Sequence, residues 1–119
     1  VDLTRLAGHA VLIRTDHARR WGTGEYFDAH PYVTEAAANA LVAAGVACVG
    51  IDSLNIASTA TGARPVHTAL LANDIPIIEH LTNLDQLPAD GFTFTAAPPK
   101  IEGCGTFTVR AFASVPGLR

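Results

Sequence analysis

The chain has 119 residues, a formal net charge of −3 and 49% hydrophobic residues, but only 16% charged residues. This length predicts a single domain, residues 1–119. Without a basic cluster the chain is not expected to bind nucleic acid, because phosphate backbones are bound by Lys and Arg. No apolar run approaches the roughly 18 residues of a membrane-spanning helix. We therefore expect no membrane partner and a cytoplasmic location.

The low charge also predicts a partner. Typical domains carry about 25% charged residues, and a chain with 16% has little polar surface with which to cover an isolated body. A large apolar face is expected to be covered by another chain or segment. We predict either a homo-oligomer or contact with a complementing N-terminal segment.

Strand and helix patterns alternate in the first half of the chain. Residues 10–15 are largely apolar and predict a first strand. Thr34 suits a helix N-cap and Gly45 suits a helix end, so the alanine-rich segment Glu35–Ala44 predicts a helix. Residues 46–51 predict a central strand. A strand–helix–strand order implies a right-handed crossover between parallel strands, and we expect an α/β fold, a mixed β-sheet with flanking helices.

Residues 16–30 predict a long loop, because they contain glycines among charged and aromatic residues. Such loops often carry function. Trp21 and Phe27 could form a wall over an aromatic substrate, and we take both as candidate substrate-binding residues. The alternative is that these aromatic side chains only anchor the loop.

Asp52 follows the central strand directly. This is the carboxyl end of the strand, where open α/β sheets place their ligand sites. The carboxylate could support a metal-bound histidine through a hydrogen bond. The alternative is that Asp52 caps the following loop, residues 53–63, through that loop's own backbone.

A histidine and a glutamate are expected to meet in the next segment. Pro65 suits the first turn of a helix that Asn73 can end, and residues 75–78 predict a short strand. The helix advances about 9 Å at 1.5 Å per residue, and the strand returns about 13 Å at 3.3 Å per residue. His67 and Glu79 can therefore lie side by side as metal ligands. The alternative is a surface histidine and a solvated carboxylate.

The last third of the chain predicts a helical turn over residues 82–87 and strands over residues 92–97 and 107–113. Gly103 and Gly105 lie in the turn between these strands, so the strands are expected to pair as a hairpin-like unit. Two cysteines do not make a disulfide framework. Cys48 is expected to be a small buried hydrophobic residue, and Cys104 is expected in an accessible turn.

Several segments resemble a known family. HTALLANDIPIIEHLTNLDQLP and GFTFTAAPPKIEGCGTFTVRAFA strongly resemble the C-terminal half of the cyclase family, metal-dependent hydrolases that include the bacterial arylformamidases (kynurenine formamidases). The preceding TDHARRWGTGEYFDAHPYVTEAAANALVAAGVACVGIDSLNI is similar to the family's TGW-type segment, Pro-initiated helix and GIDT-type strand. The resemblance covers about residues 11–113 and implies a swivelling β/β/α architecture.

The resemblance also implies a metal site. In the family, a histidine and a glutamate twelve residues later bind the metal, and these positions match His67 and Glu79. The remaining family ligands come from an upstream His-x-Gly-Thr-His-x-Asp-x-Pro motif, which this sequence does not contain. We therefore expect the C-terminal portion of the fold and a divalent metal, zinc or manganese, that the isolated chain binds weakly or not at all. Asp16 and His17 replace the family's Gly-Trp, which could shift substrate preference or supply replacement ligands.

The resemblance implies a hydrolase of amide or ester bonds in small aromatic or cyclic substrates. An arylformamidase-like activity would belong to tryptophan catabolism. The alternatives are an inactive relic that binds a small molecule, and a structural protein that only oligomerises. The sequence does not identify a catalytic residue, the substrate or the metal, since histidine and carboxylate ligands suit zinc and manganese alike.

Overall fold

The computed structural model describes residues 2–117. The chain divides into two compact units, a larger one that ends at Asp85 and a smaller one that begins at Gln86. Each unit has its own sheet and is described by itself. The single domain expected from the length stays a prediction.

The larger unit is built on a parallel sheet of three strands. These are β1 (Ala10–Ile13), β2 (Cys48–Ile51) and β3 (Ile77–Ile78), with β2 between the other two. Helix α1 (Glu35–Ala44) joins β1 to β2, and helix α2 (Pro65–Leu71) joins β2 to β3. Short 3-10 helices occupy Leu3–Arg5, His17–Arg20 and Gly24–Phe27. The predicted central, parallel position of β2 is confirmed.

Helix α1 has the predicted bounds because local signals set both of its ends. The Thr34 hydroxyl accepts a hydrogen bond of 3.2 Å from the Ala37 N–H, which satisfies a free donor of the first turn. Gly45 ends the helix with a φ of 70°, a left-handed conformation that glycine adopts without a Cβ clash. The helix packs Ala38 and Leu41 into the core.

The core of the larger unit surrounds β2, where Val49 and Ile51 are fully buried. Gly50 lies between them at a point of close approach. A Cβ at this position would come within 2.6 Å of the Leu81 Cδ1 atom and 2.8 Å of the Leu12 Cδ2 atom. The two leucines therefore fill the space that a side chain on Gly50 would need.

The strands and α2 are shorter than predicted. Helix α2 ends at Leu71 instead of Asn73, and β3 begins at Ile77 instead of Ile75. Asp74 has a left-handed φ of 56°, so the chain is still turning where the sequence predicts a strand. Cys48 is half-buried, because it begins β2 at the edge of the core.

The smaller unit contains the antiparallel strands β4 (Thr93–Ala97) and β5 (Arg110–Ser114). The predicted hairpin-like pairing is confirmed, with Thr95 opposite Phe112 at its centre. Cys104 lies half-buried in the connection, and both cysteines are free. The α/β class is also confirmed, with parallel and antiparallel strands placed in two sheets. Within residues 2–117, no helix has the length and apolar character needed to cross a bilayer.

Candidate functional site

The structure brings His67 and Glu79 together. His67 lies in the first turn of α2, and Glu79 directly follows β3, so the reversal of the chain between helix and strand returns the carboxylate to the helix start. The His67 Nε2 atom is 3.1 Å from the Glu79 Oε1 atom. Their side chains are 13% and 23% exposed. The pair therefore faces a partly open position and is neither fully solvated nor sealed in the core.

The surroundings of the pair fit two ligands of one divalent ion. Zinc ligands at about 2.1 Å from the metal lie about 3.0–3.4 Å from each other, which includes the observed separation of 3.1 Å. The Ile56 N–H donates a 2.9 Å hydrogen bond to the same Glu79 oxygen and orients the carboxylate. The His67 Nδ1 atom is buried and has no hydrogen-bond partner within residues 2–117. Buried polar atoms are normally satisfied, so this imidazole still requires a partner.

Two ligands are fewer than a catalytic metal needs. A catalytic zinc takes about three protein ligands and a water, and residues 2–117 contain no group of three or more His, Cys, Asp or Glu side chains able to hold a metal. Within residues 2–117 the pair alone therefore does not supply the protein ligands of a catalytic zinc.

Asp52 is almost fully buried, with 2% of its surface exposed, and no histidine among residues 2–117 bonds its carboxylate. Its Oδ1 atom accepts from the Thr15 N–H and the Thr15 hydroxyl, each at 2.7 Å. Its Oδ2 atom accepts from the Asp16 N–H at 2.9 Å. Within residues 2–117 the Asp52 carboxylate thus bonds the chain that leaves β1 and not residues 53–63, and its hydrogen bond to a ligand histidine stays a prediction. The reason is that β1 and β2 are parallel neighbours and end side by side.

Asp16 and His17 are engaged away from the His67–Glu79 pair. Asp16 forms an ion pair with Arg14 at 2.7 Å, and this hydrogen bond lowers the pKa of the Asp16 carboxyl. His17 is buried, and its Nε2 atom lies 2.9 Å from the Tyr26 carbonyl oxygen. Neither side chain completes the pair as a replacement ligand.

Trp21 and Phe27 stand out from the loop over residues 16–30. Trp21 is 66% exposed and Phe27 is 70% exposed. Both rings meet Tyr26 edge-on, with centroid distances of 5.0 Å and 5.7 Å. The three aromatic residues and the short segment between them line an open hollow of about 400 Å³. The two outer rings are exposed, whereas Tyr26 is buried.

Tyr26 makes a long-range contact that the sequence analysis did not predict. Its side chain is 1% exposed, and its hydroxyl lies 2.8 Å from the His80 Nδ1 atom. Burial, followed by the negative charges of Asp52 and Glu79, raises the pKa of Tyr26. One tyrosine among several loop aromatics carries no sequence signal that it contacts a residue 54 positions away.

His80 and Glu79 contact different partners, although not because they alternate on a strand. On a strand, alternation would place the side chains of Glu79 and His80 on opposite faces. The strand instead ends at Ile78, and His80 has a left-handed φ of 59°. Its N–H donates to the Ser53 carbonyl at 3.1 Å, which holds the chain in this turn.

Comparison with known proteins identifies the family. Residues 3–58 match the family model described as "Putative cyclase". Isatin hydrolase of Roseibium aggregatum is 33% identical over 128 residues, which cover 92% of this chain and 46% of that protein. An uncharacterised protein of Methanocaldococcus jannaschii is 34% identical over 104 residues, which cover 87% of this chain and 52% of that protein.

Solved structures agree with these matches. Isatin hydrolase A from Ralstonia solanacearum has a TM-score of 0.79 and 31% identity, covering 92% of this chain and 46% of its own. A structure described as a potential metal-dependent hydrolase with cyclase activity has a TM-score of 0.73 and 31% identity, covering 88% and 50%. The chain belongs to the cyclase family. An isatin hydrolase bound to the product analogue thioisatinate matches this cyclase-family chain with a TM-score of 0.80 and 28% identity, covering 89% and 45%.

This cyclase-family chain spans about half the length of the curated relatives it matches. The segment matched by the family model contains the aromatic loop and Asp52, whereas His67 and Glu79 lie beyond it. The family predicted from the sequence is confirmed. The ligand roles of His67 and Glu79 and the substrate contacts of Trp21 and Phe27 stay predictions.

Proposed function

We propose that this chain forms part of a metal-dependent hydrolase of amide or ester bonds in small aromatic or cyclic substrates. The observation that carries the proposal is the 3.1 Å approach of His67 to Glu79 at a partly exposed position in a cyclase-family chain. The relatives that support it include isatin hydrolases and a protein described as a potential metal-dependent hydrolase.

His67 and Glu79 would hold the divalent ion, zinc or manganese, as two of its ligands. Such an ion, when bound, acidifies a coordinated water and polarises the substrate carbonyl. Within this chain, the Ile56 N–H keeps one Glu79 oxygen turned toward His67. The remaining ligands would come from a segment that carries the upstream histidine motif of the family, which these 119 residues lack.

Trp21 and Phe27 would contact the ring of the substrate. Their exposed faces border one hollow of about 400 Å³, and buried Tyr26 between them holds both rings at its edges. Aromatic side chains bind flat apolar rings through large contact areas. We propose a bicyclic lactam such as isatin, or an N-formyl arylamide as in arylformamidases, as the substrate.

Complementation tests the proposed activity. The 119-residue chain is joined to the N-terminal half of the Roseibium aggregatum isatin hydrolase, and hydrolysis of isatin and of an N-formyl arylamide is followed with manganese, with zinc and after EDTA. We expect metal-dependent hydrolysis that H67A abolishes. H9A is the matched control, because His9 is an exposed histidine directly before β1. A folded, metal-loaded fusion without hydrolysis of either substrate would contradict the proposal.

A binding protein without catalysis is the second candidate. It is favoured by the finding that residues 2–117 hold two candidate metal ligands and no group of three. Titration calorimetry separates the two candidates. Isatin binding by the fusion without any manganese or zinc binding would favour the second.

We also propose that the chain makes a homo-oligomer or binds a complementing segment. Several apolar side chains of the larger unit are more than half exposed, among them Leu71 at 55% and Tyr32 at 51%. Sedimentation velocity of the chain, alone and with the complementing half, measures this association. A monomer under both conditions would contradict it.

A further inference from the structure

We propose that Asp52 is a positioning residue that holds the aromatic loop, residues 16–30, in the shape in which Trp21 and Phe27 meet the substrate. The substrate side of this inference rests on the proposed function. The loop side rests on the contacts of Asp52 alone. The two sides are therefore tested by separate measurements.

Asp52 has the contacts of a loop anchor. Both of its carboxylate oxygens accept hydrogen bonds, from the Thr15 N–H, the Thr15 hydroxyl and the Asp16 N–H, at 2.7 to 2.9 Å. Hydrogen bonds to a charged acceptor are shorter and stronger than neutral ones. The carboxylate is 2% exposed, so water does not compete for these donors. The three bonds join the end of β2 to the first two residues after β1.

The backbone of Asp16 shows what the anchor imposes. Asp16 has a φ of 64°, which places a non-glycine residue in the left-handed region. Such a conformation persists where the surroundings hold it. The Asp16 N–H donates to Asp52, and the Asp16 side chain bonds Arg14, so both ends of the residue are tied. The direction in which the aromatic loop leaves the sheet is set at this residue.

A series of hydrogen bonds and ring contacts connects Asp52 to the aromatic rings of the loop. The Thr15 hydroxyl that bonds Asp52 also accepts from the His17 N–H at 3.3 Å. The His17 ring then lies 2.9 Å from the Tyr26 carbonyl oxygen, and the rings of the two residues are 4.9 Å apart. Tyr26 is the residue on which Trp21 and Phe27 rest edge-on.

The far end of the loop is tied to the same strand end. The Tyr26 hydroxyl bonds His80, and the His80 N–H donates to the carbonyl of Ser53, the residue after Asp52. The Ser53 hydroxyl donates to the Pro31 carbonyl at 2.7 Å, just beyond the loop. Asp52 and Ser53 together therefore hold both ends of the aromatic loop beside the segment that carries Glu79.

Four variants test the positioning role. D52N keeps the size of the side chain. Its NH2 group is itself a hydrogen-bond donor, so it cannot accept from one of the three N–H and O–H groups that bond Asp52. T15V removes the hydroxyl and with it two hydrogen bonds, the one it donates to Asp52 and the one it accepts from the His17 N–H, and T15S restores both. T34A is the matched control, because it removes the N-cap of α1 and lowers stability without touching the aromatic loop.

Amide hydrogen exchange over residues 16–30, in the isolated chain, is the decisive measurement. We expect exchange in this loop to be at least about tenfold faster in D52N than in the wild type, smaller acceleration in T15V, and wild-type exchange in T15S and T34A. Unchanged loop exchange in folded D52N, or equal acceleration in T34A, would overturn the proposal. If D52N does not fold by circular dichroism, T15V against T15S decides.

Kinetics of the fusion with the isatin hydrolase half test the substrate side. We expect D52N to raise the KM for isatin at least about tenfold while kcat changes less, since the loop contacts the ring and not the reacting bond. A purely structural role would lower the active fraction and leave KM unchanged, which would overturn the substrate side. A wild-type fusion without hydrolysis would count against the proposed function, and loop exchange would then decide the role of Asp52.

Discussion

Glu79 has two separable roles in the structure, which two substitutions distinguish. Glu79→Ala removes the acceptor of both the Ile56 N–H and the His67 ring. Ile56 is fully buried, and a buried N–H without an acceptor costs about 1–3 kcal/mol. The partly exposed bond to His67 adds about 0.5–1.5 kcal/mol. We therefore expect E79A to lose about 2–4 kcal/mol of unfolding free energy.

Glu79→Gln keeps a carbonyl oxygen that can accept from Ile56 and His67. We expect E79Q to lose about 1 kcal/mol or less of unfolding free energy. The neutral amide is a weaker ligand for a hard divalent ion than the carboxylate. Manganese or zinc binding by the complemented protein should therefore weaken at least about tenfold in E79Q.

Urea unfolding followed by circular dichroism gives the two stabilities, and calorimetry gives the metal affinities. E102Q is the matched control, because Glu102 is an exposed carboxylate in the smaller unit. Equal destabilisation by E79Q and E79A would show that the charge, and not the acceptor, holds Ile56 and His67. Unchanged metal binding in E79Q would remove Glu79 from the metal site.

Three further predictions concern residues around the site. G50A should lose about 1–3 kcal/mol in urea unfolding, since the new methyl group meets two leucine side chains closer than 3 Å; wild-type stability would show that the leucines move freely. Burial raises the pKa of the Cys48 thiol. In C104S protein at pH 8, iodoacetamide should therefore alkylate Cys48 more slowly in the folded state than in urea. Equal alkylation rates would contradict this. The raised pKa of Tyr26 predicts that the tyrosine absorbance of Y32F protein titrates with a midpoint above pH 10. The stability that the neutral Tyr26 phenol contributes should be complete below pH 10 and be lost as the pH rises through that midpoint. A midpoint at or below 10 would contradict it.

Features set by neighbouring residues could be predicted from the sequence. Helix α1 has the predicted bounds because its cap, its alanine-rich body and its closing glycine lie in one continuous segment. The contact between His67 and Glu79 could also be predicted, since only 12 positions separate the two residues. A helix followed by a strand brings the chain back to the start of the helix. The family could be recognised for the same reason, because its motifs are continuous stretches of sequence.

Tertiary structure decided the partners of side chains that are distant in the chain. Asp52 bonds Thr15 across 37 positions, and Tyr26 bonds His80 across 54. The left-handed turn at Asp16 is held by the hydrogen bond to Asp52, and the left-handed turn at His80 by the hydrogen bond to Ser53. A buried carboxylate or phenol takes whichever donors and acceptors the packed strands bring beside it. Sequence periodicity shows which residues are buried, but only the packed fold shows which polar groups they are buried with.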